Sequence, residues 1–109
     1  MDKLANLQYQ LHTLTTENDR GADALYEAEV KLAHAEHELD LIEQKAFIKA
    51  QGTVADRTAL AKLESADARL QRDLRKAEAN RIRMKIKSIE SSLMAVATSA
   101  KLLQAEIRL

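Results

Sequence analysis

Leu4, Leu7, Leu11 and Leu14 are spaced alternately three and four apart, and the same frame runs on through Asn18, Gly21, Leu25, Ala28, Leu32, Ala35, Leu39, Ile42 and Ala46 without a phase break. An apolar position every 3.5 residues is the signature of a helix that packs along one stripe. A second frame, Ile82, Ile86, Ile89, Leu93, Val96, Ala100, Leu103 and Ile107, reaches the C-terminal end. Between them Leu63, Ala66, Leu70, Leu74, Ala77 and Arg81 step by three, four, four, three and four, a stutter that predicts local straightening of a supercoil.

Helix ends are written most clearly around Gly52. Lys45 and Lys49 suit the negative end of a helix dipole, Gly52 suits a left-handed residue after it, and Thr53 with Asp56 forms a capping box for the next helix. The pattern predicts a helix over 2–50, a turn at 51–53 and a helix over 54–108, with lengths of about 74 and 82 Å. Gly21, near Thr15, Thr16, Asn18 and Asp19, has two readings: a helix break that would make three helices, or a glycine tolerated inside one helix at about 1 kcal/mol. The unbroken frame favours one helix.

Folding back at Gly52 pairs residues whose numbers sum to about 104 if the rise per residue is equal on both arms. That places Leu7 near Val96, Leu11 near Leu93, Leu14 near Ile89, Leu32 near Leu70 and Leu74, and Leu39 near Leu63 and Ala66. The expected fold class is all-α: a long antiparallel two-helix coiled-coil hairpin forming a single domain over 1–109, assembled into a helical bundle.

Composition narrows the chemistry. Of the 109 residues, 19 are Ala and 16 Leu, so contacts are small; Cys, Pro and Trp are absent, and two Tyr and one Phe are the only aromatic rings. Without Cys there is no thiolate nucleophile, thiolate metal site or disulfide. No run of about 18 apolar residues and no basic region followed by an apolar core is present, so neither a membrane span nor a secretory leader is expected, and a cytoplasmic setting is the default. The 17 basic and 17 acidic groups cancel in sum but not in place: residues 1–50 hold five basic and ten acidic groups, and residues 51–109 hold twelve and seven. Arg69, Arg72, Arg75, Lys76, Arg81, Arg83, Lys85 and Lys87 fall opposite Glu17, Asp19, Asp23, Glu27 and Glu29 in such a hairpin.

Candidate chemistry is sparse. Arg69, Arg72, Arg81, Arg83, Lys85 and Lys87 are the residues able to hold a phosphate backbone, without interleaved aromatic rings for base stacking. The competing reading is that they pair with the acidic first helix and water. His34, His37 and Glu38 share a helix face, but the Glu-x-x-His spacing of diiron bundles is absent, so no metal site is expected. Ser91, Ser92 and Ser99 lie in heptads, with no Gly-rich turn to present a nucleophile; no catalytic residue, cofactor or small-molecule substrate is expected. Apolar residues outside the frame, among them Tyr26, Phe47 and Met94, need cover, either from further copies of the chain or from a different protein.

The segment KAFIKAQGTVADRTALAKLESADA from Lys45 to Ala68, followed by RLQRDLRKAEANRIRMKIKSIESSL, resembles a pattern in small all-helical proteins of bacteriophages and prophages. Its distinctive part is the turn at Gly52, Thr53, Val54, Ala55 and Arg57 with the Ala-rich basic helix after it. The resemblance implies a location near recombination or replication genes and a host cytoplasmic setting, with no catalytic residues to carry over. The resulting expectation is a non-enzymatic protein that associates with itself as a dimer or tetramer and contacts a host or viral protein, including DNA-processing machinery. Sequence-independent nucleic-acid binding through the 69–87 region is the alternative.

Overall fold

The computed structural model describes residues 2–108; Met1 and Leu109, the ends of the span expected as one domain, lie outside them. The fold is an all-α helical hairpin: α1 spans Asp2–Lys49, α2 Val54–Glu64 and α3 Ala66–Arg108. Among the described residues, no helix is long and apolar enough to cross a membrane. The chain divides into two compact units: a terminal unit, Met1–Leu25 with Arg81–Leu109, and a turn unit, Tyr26–Asn80.

In the turn unit, α1 ends as Ala50 N–H donates to the Ala46 carbonyl at 3.0 Å, and Gly52 takes φ 112°, a region that side chains with a Cβ rarely enter. Thr53 Oγ1 then accepts from Asp56 N–H at 3.2 Å while Thr53 N–H donates to Asp56 Oδ2 at 3.4 Å, which is the expected reciprocal cap. Arg57 supplies a contact that spacing alone did not suggest. Its Nε and Nη2 donate to the Phe47 carbonyl at 3.2 and 3.1 Å, and its guanidinium lies 4.3 Å from the centre of the Phe47 ring. One of the last orphan carbonyls of α1 is thereby satisfied from α2. Gly52→Val should lower stability by about 1–2 kcal/mol and Thr53→Ala by about 1 kcal/mol, read from thermal melts. Arg57→Ala, which removes both the carbonyl contact and the ring contact, should lower it by about 1–2 kcal/mol; Arg57→Lys should recover only part, since an ammonium cannot fork onto the carbonyl while covering the ring.

The first heptad frame is realised in full. Every member from Leu4 to Ala46 is buried or half-buried, and α1 passes through Gly21 without a break. The two-helix-versus-one question at Gly21 is therefore decided by packing: a Cβ built there would lie 2.9 Å from Ile86 Cγ1, so the glycine is the notch that receives Ile86. Helix propensity is lost at one residue to admit a branched side chain from the facing helix.

The second arm corrects two expectations. Leu63, Ala66, Leu70, Leu74, Ala77 and Arg81 are all exposed, whereas Ala61, Ser65, Ala68, Arg72, Arg75 and Ala79 face inward. These run in strict heptads straight into Ile82, Ile86 and Ile89, so there is no stutter. The turn unit's buried residues are Ala28, Leu39, Ala46, Ala61, Ser65 and Ala79, mostly small, and helices joined by such residues approach closely; a leucine row would hold them apart. Arg72 and Arg75 sit on this seam half-buried, with their stems inward and their heads on Asp73 at 2.7 Å and Glu78 at 3.5 Å, both on their own helix.

Register and continuity shift with it. Gly21 against Ile86 makes facing numbers sum to 107, not about 104, so Leu14 lies level with Leu93 and Leu7 with Ala100. The turn is asymmetric: the last buried residue of α1, Ala46, is three residues from its end at Lys49, while Ala61 is seven beyond the start of α2 at Val54. The helix expected over 54–108 is also divided, at Ser65, which has φ −93° and ψ 6° and is fully buried. Ser65 Oγ donates to the Ala61 carbonyl at 2.7 Å and accepts from Arg69 Nη2 at 2.9 Å. The backbone bonds Ser65 N–H to Ala61 carbonyl at 3.1 Å and Arg69 N–H to Ser65 carbonyl at 2.9 Å run across this residue, so the interruption between α2 and α3 is confined to it.

Candidate interaction surfaces

The residues beside the seam differ between the two units. In heptad letters with the inward positions as a and d, the e positions of the turn unit are Glu29, Glu36 and Glu43 on α1 and Lys62, Arg69 and Lys76 on the second arm. Its g positions are Lys31, Glu38 and Lys45 against Glu64, Gln71 and Glu78. Antiparallel helices bring e beside e and g beside g, so the e edge sets acidic against basic residues, whereas on the g edge Glu38 shares a cleft with Asp67 and Gln71. Arg69 Nη2 reaches Glu43 Oε2 at 4.0 Å on the e edge. Half-exposed pairs of this kind contribute little energy each, but they oppose a parallel or shifted pairing.

The terminal unit carries fewer charges on its edges. Its e positions are Gln8, Thr15 and Ala22 against Arg83, Glu90, Ala97 and Gln104; its g positions are Lys3, Gln10, Glu17 and Ala24 against Lys85, Ser92, Ser99 and Glu106. Its seam is made of large aliphatic residues, yet Leu4, Leu7, Leu11, Leu14, Leu25, Ile82, Ile86, Leu93, Val96 and Leu103 are only half-buried, and Ile89 alone among its described residues is classed as buried. Three clefts open between α1 and α3 on the g edge. Their floors are Leu7 with Leu103, Leu14 with Val96, and Gly21 with Ile82, Ile86 and Ile89. Asn18 also stands on this seam, with its Oδ1 buried and unpartnered, the kind of polar residue that fixes register at a cost in stability.

The expected nucleic-acid residues do not form one kind of surface. Arg69 and Arg72, in the turn unit, are half-buried, Arg69 on Ser65 and Glu43 and Arg72 on Asp73. In the terminal unit, Arg81, Lys85 and Lys87 are exposed and Arg83 is half-buried. Of the expected protein-contact residues, Tyr26 and Met94 are exposed, one in each unit, whereas Phe47 is half-buried beneath Arg57 and serves the turn. His34, His37 and Glu38 are exposed, and among the described residues no group of three or more potential ligands could hold a metal ion.

Sequence reasoning misses the outward ridge of Leu63, Leu70 and Leu74 in the turn unit, because it assigns those leucines to the seam; Leu60, beside them, is expected off the frame and is exposed. It also misses the contrast between the densely charged edges of the turn unit and the sparser ones of the terminal unit, which becomes readable only once a and d are placed correctly. Comparison of the chain with protein-family models, curated proteins and solved structures finds no match, so the functional reading rests on these surfaces.

Proposed function

We propose that this chain is a non-enzymatic helical contact protein that associates with itself and presents its remaining apolar positions to a protein partner. The observation that carries the reading is the amount of apolar helix surface left uncovered in a single copy. Tyr9, Tyr26, Ile48, Leu63, Met94 and Leu102 are each more than 60% exposed, while four of the six buried apolar residues are alanines. Surfaces of this type on soluble helices are interaction surfaces. The resemblance to phage helical proteins extends the reading to a host or viral partner in DNA processing, with the host cytoplasm as its setting.

Sedimentation equilibrium of the full chain, alone and with a 30-base-pair duplex at about 50 mM salt, where phosphate binding is favoured, tests the reading. The expected result is a mass above 12.2 kDa for the protein alone, with no complex on the duplex. A monomer that binds duplex and is released by salt would replace this reading with the nucleic-acid one, carried by the exposed Arg81, Lys85 and Lys87.

A further inference from the structure

From the terminal unit we infer that its g edge is the surface on which a second copy of the chain sits, antiparallel and related by a two-fold axis lying in that face. This rests on the self-association proposed above and names the face that performs it. The three clefts all open on this one edge, over about 30 Å of two neighbouring helices, or roughly 600 Å² per copy and 1,200 Å² in total, the lower limit of stable interfaces. Their floors are the half-buried Leu7, Leu14, Val96 and Leu103, and a second pair of helices would cover these as in a four-helix bundle.

Charge placement selects a second copy as the occupant. On α1 the charged g residues are Lys3 and Glu17, each seven residues from Gln10; on α3 they are Lys85 and Glu106, centred between Ala95 and Val96. Gln10 and Val96 line the same middle cleft, together with the neutral Thr13 and Ser92. A two-fold axis through that cleft crosses each helix at the midpoint of its charged g pair, with Arg20, which also lines the third cleft, outside the pairing. It sets Lys3 against Glu17 of the second copy and Lys85 against Glu106 of the second copy, twice over, while neutral side chains meet in the middle. Every helix is then antiparallel to both neighbours, so the helix dipoles oppose. The surface is complementary to itself, as an isologous dimer requires.

Gln10 provides the test, because it is exposed and lies on the axis, so whatever replaces it meets its own copy. The wild-type chain should sediment at about twice 12.2 kDa. Gln10→Glu and Gln10→Lys should each weaken the dimer about tenfold or more, by setting like charges face to face, while an equimolar mixture of the two should restore it. Lys3→Glu should also weaken it, and Lys3→Glu with Glu17→Lys should recover it. Gln8→Glu, on the opposite edge, should leave it unchanged. Circular dichroism of each variant confirms that helicity is retained. A dimer indifferent to both Gln10 variants would overturn this face while leaving self-association standing. A wild-type chain that remains at 12.2 kDa at about 100 µM would overturn both.

Discussion

Gly21→Leu should destabilise the chain by about 2–3 kcal/mol, lowering the melting temperature by roughly 10 °C or more. The sign is informative. In an exposed helical position, replacing glycine with leucine gains about 1 kcal/mol of helix propensity, so a glycine that merely tolerates its helix would give a rise. Here even a Cβ would stand 2.9 Å from Ile86 Cγ1, an atom near the root of a branched side chain that cannot swing clear. Ile86→Ala alone should also destabilise, by about 2–4 kcal/mol, through the cavity it leaves. The two changes together should cost less than their separate effects, by about 1 kcal/mol or more, because the leucine then fills the space the isoleucine vacates. Additive effects in chemical melts would mean that the two residues do not share a layer.

Ser65→Leu should be comparably damaging, at about 2–3 kcal/mol. Ser65 is fully buried between arms joined by alanines, so a leucine has no space and the close approach must open. Ser65→Ala separates volume from hydrogen bonding: it keeps the packing, deprives Arg69 Nη2 of its 2.9 Å acceptor, and removes the 2.7 Å side-chain bond that competes for the Ala61 carbonyl. Its expected cost is therefore much smaller, within about 1 kcal/mol, with helicity by circular dichroism unchanged or slightly raised. Equal losses for the two variants would place the residue's role in its hydroxyl instead of its size.

These two positions also show how far the sequence is legible. The frame of α1 can be read from leucines because leucine holds seven of the thirteen positions of its inner stripe, and the local chemistry of Gly52, Thr53 and Asp56 is sufficient to close a turn and start a helix. Between residues 61 and 81 the same logic fails. Where helices touch through Ala28, Ala46, Ala61 and Ala79, the inner positions are the small ones, and the larger Leu63, Leu70 and Leu74 are left outside. A rule that assigns the largest apolar residue to the core selects the wrong stripe there. Continuing the strict spacing of Ile82, Ile86 and Ile89 backward would have found the right one. Arg57 on Phe47 was beyond reach because the contact spans the turn and depends on its asymmetry. The candidate surfaces followed the same division: exposure of Tyr26 and Met94 was readable from their place off the frame, whereas the engagement of Phe47, Arg69 and Arg72 depended on tertiary neighbours.

The central claim is the register of α1 against α3 in the terminal unit, and a pair of cysteines tests it most directly, since the sequence has none to interfere. Leu14→Cys with Leu93→Cys places the two thiols in one layer of the terminal unit; Leu14→Cys with Ile89→Cys places them about one helical turn apart, near 6 Å along the axis. Under mild oxidation at low protein concentration, the first pair should close to a disulfide within the 12.2 kDa chain and the second should remain reduced. Closure of the second pair in preference to the first would contradict the register, and with it the assignment of the g edge and the clefts along it.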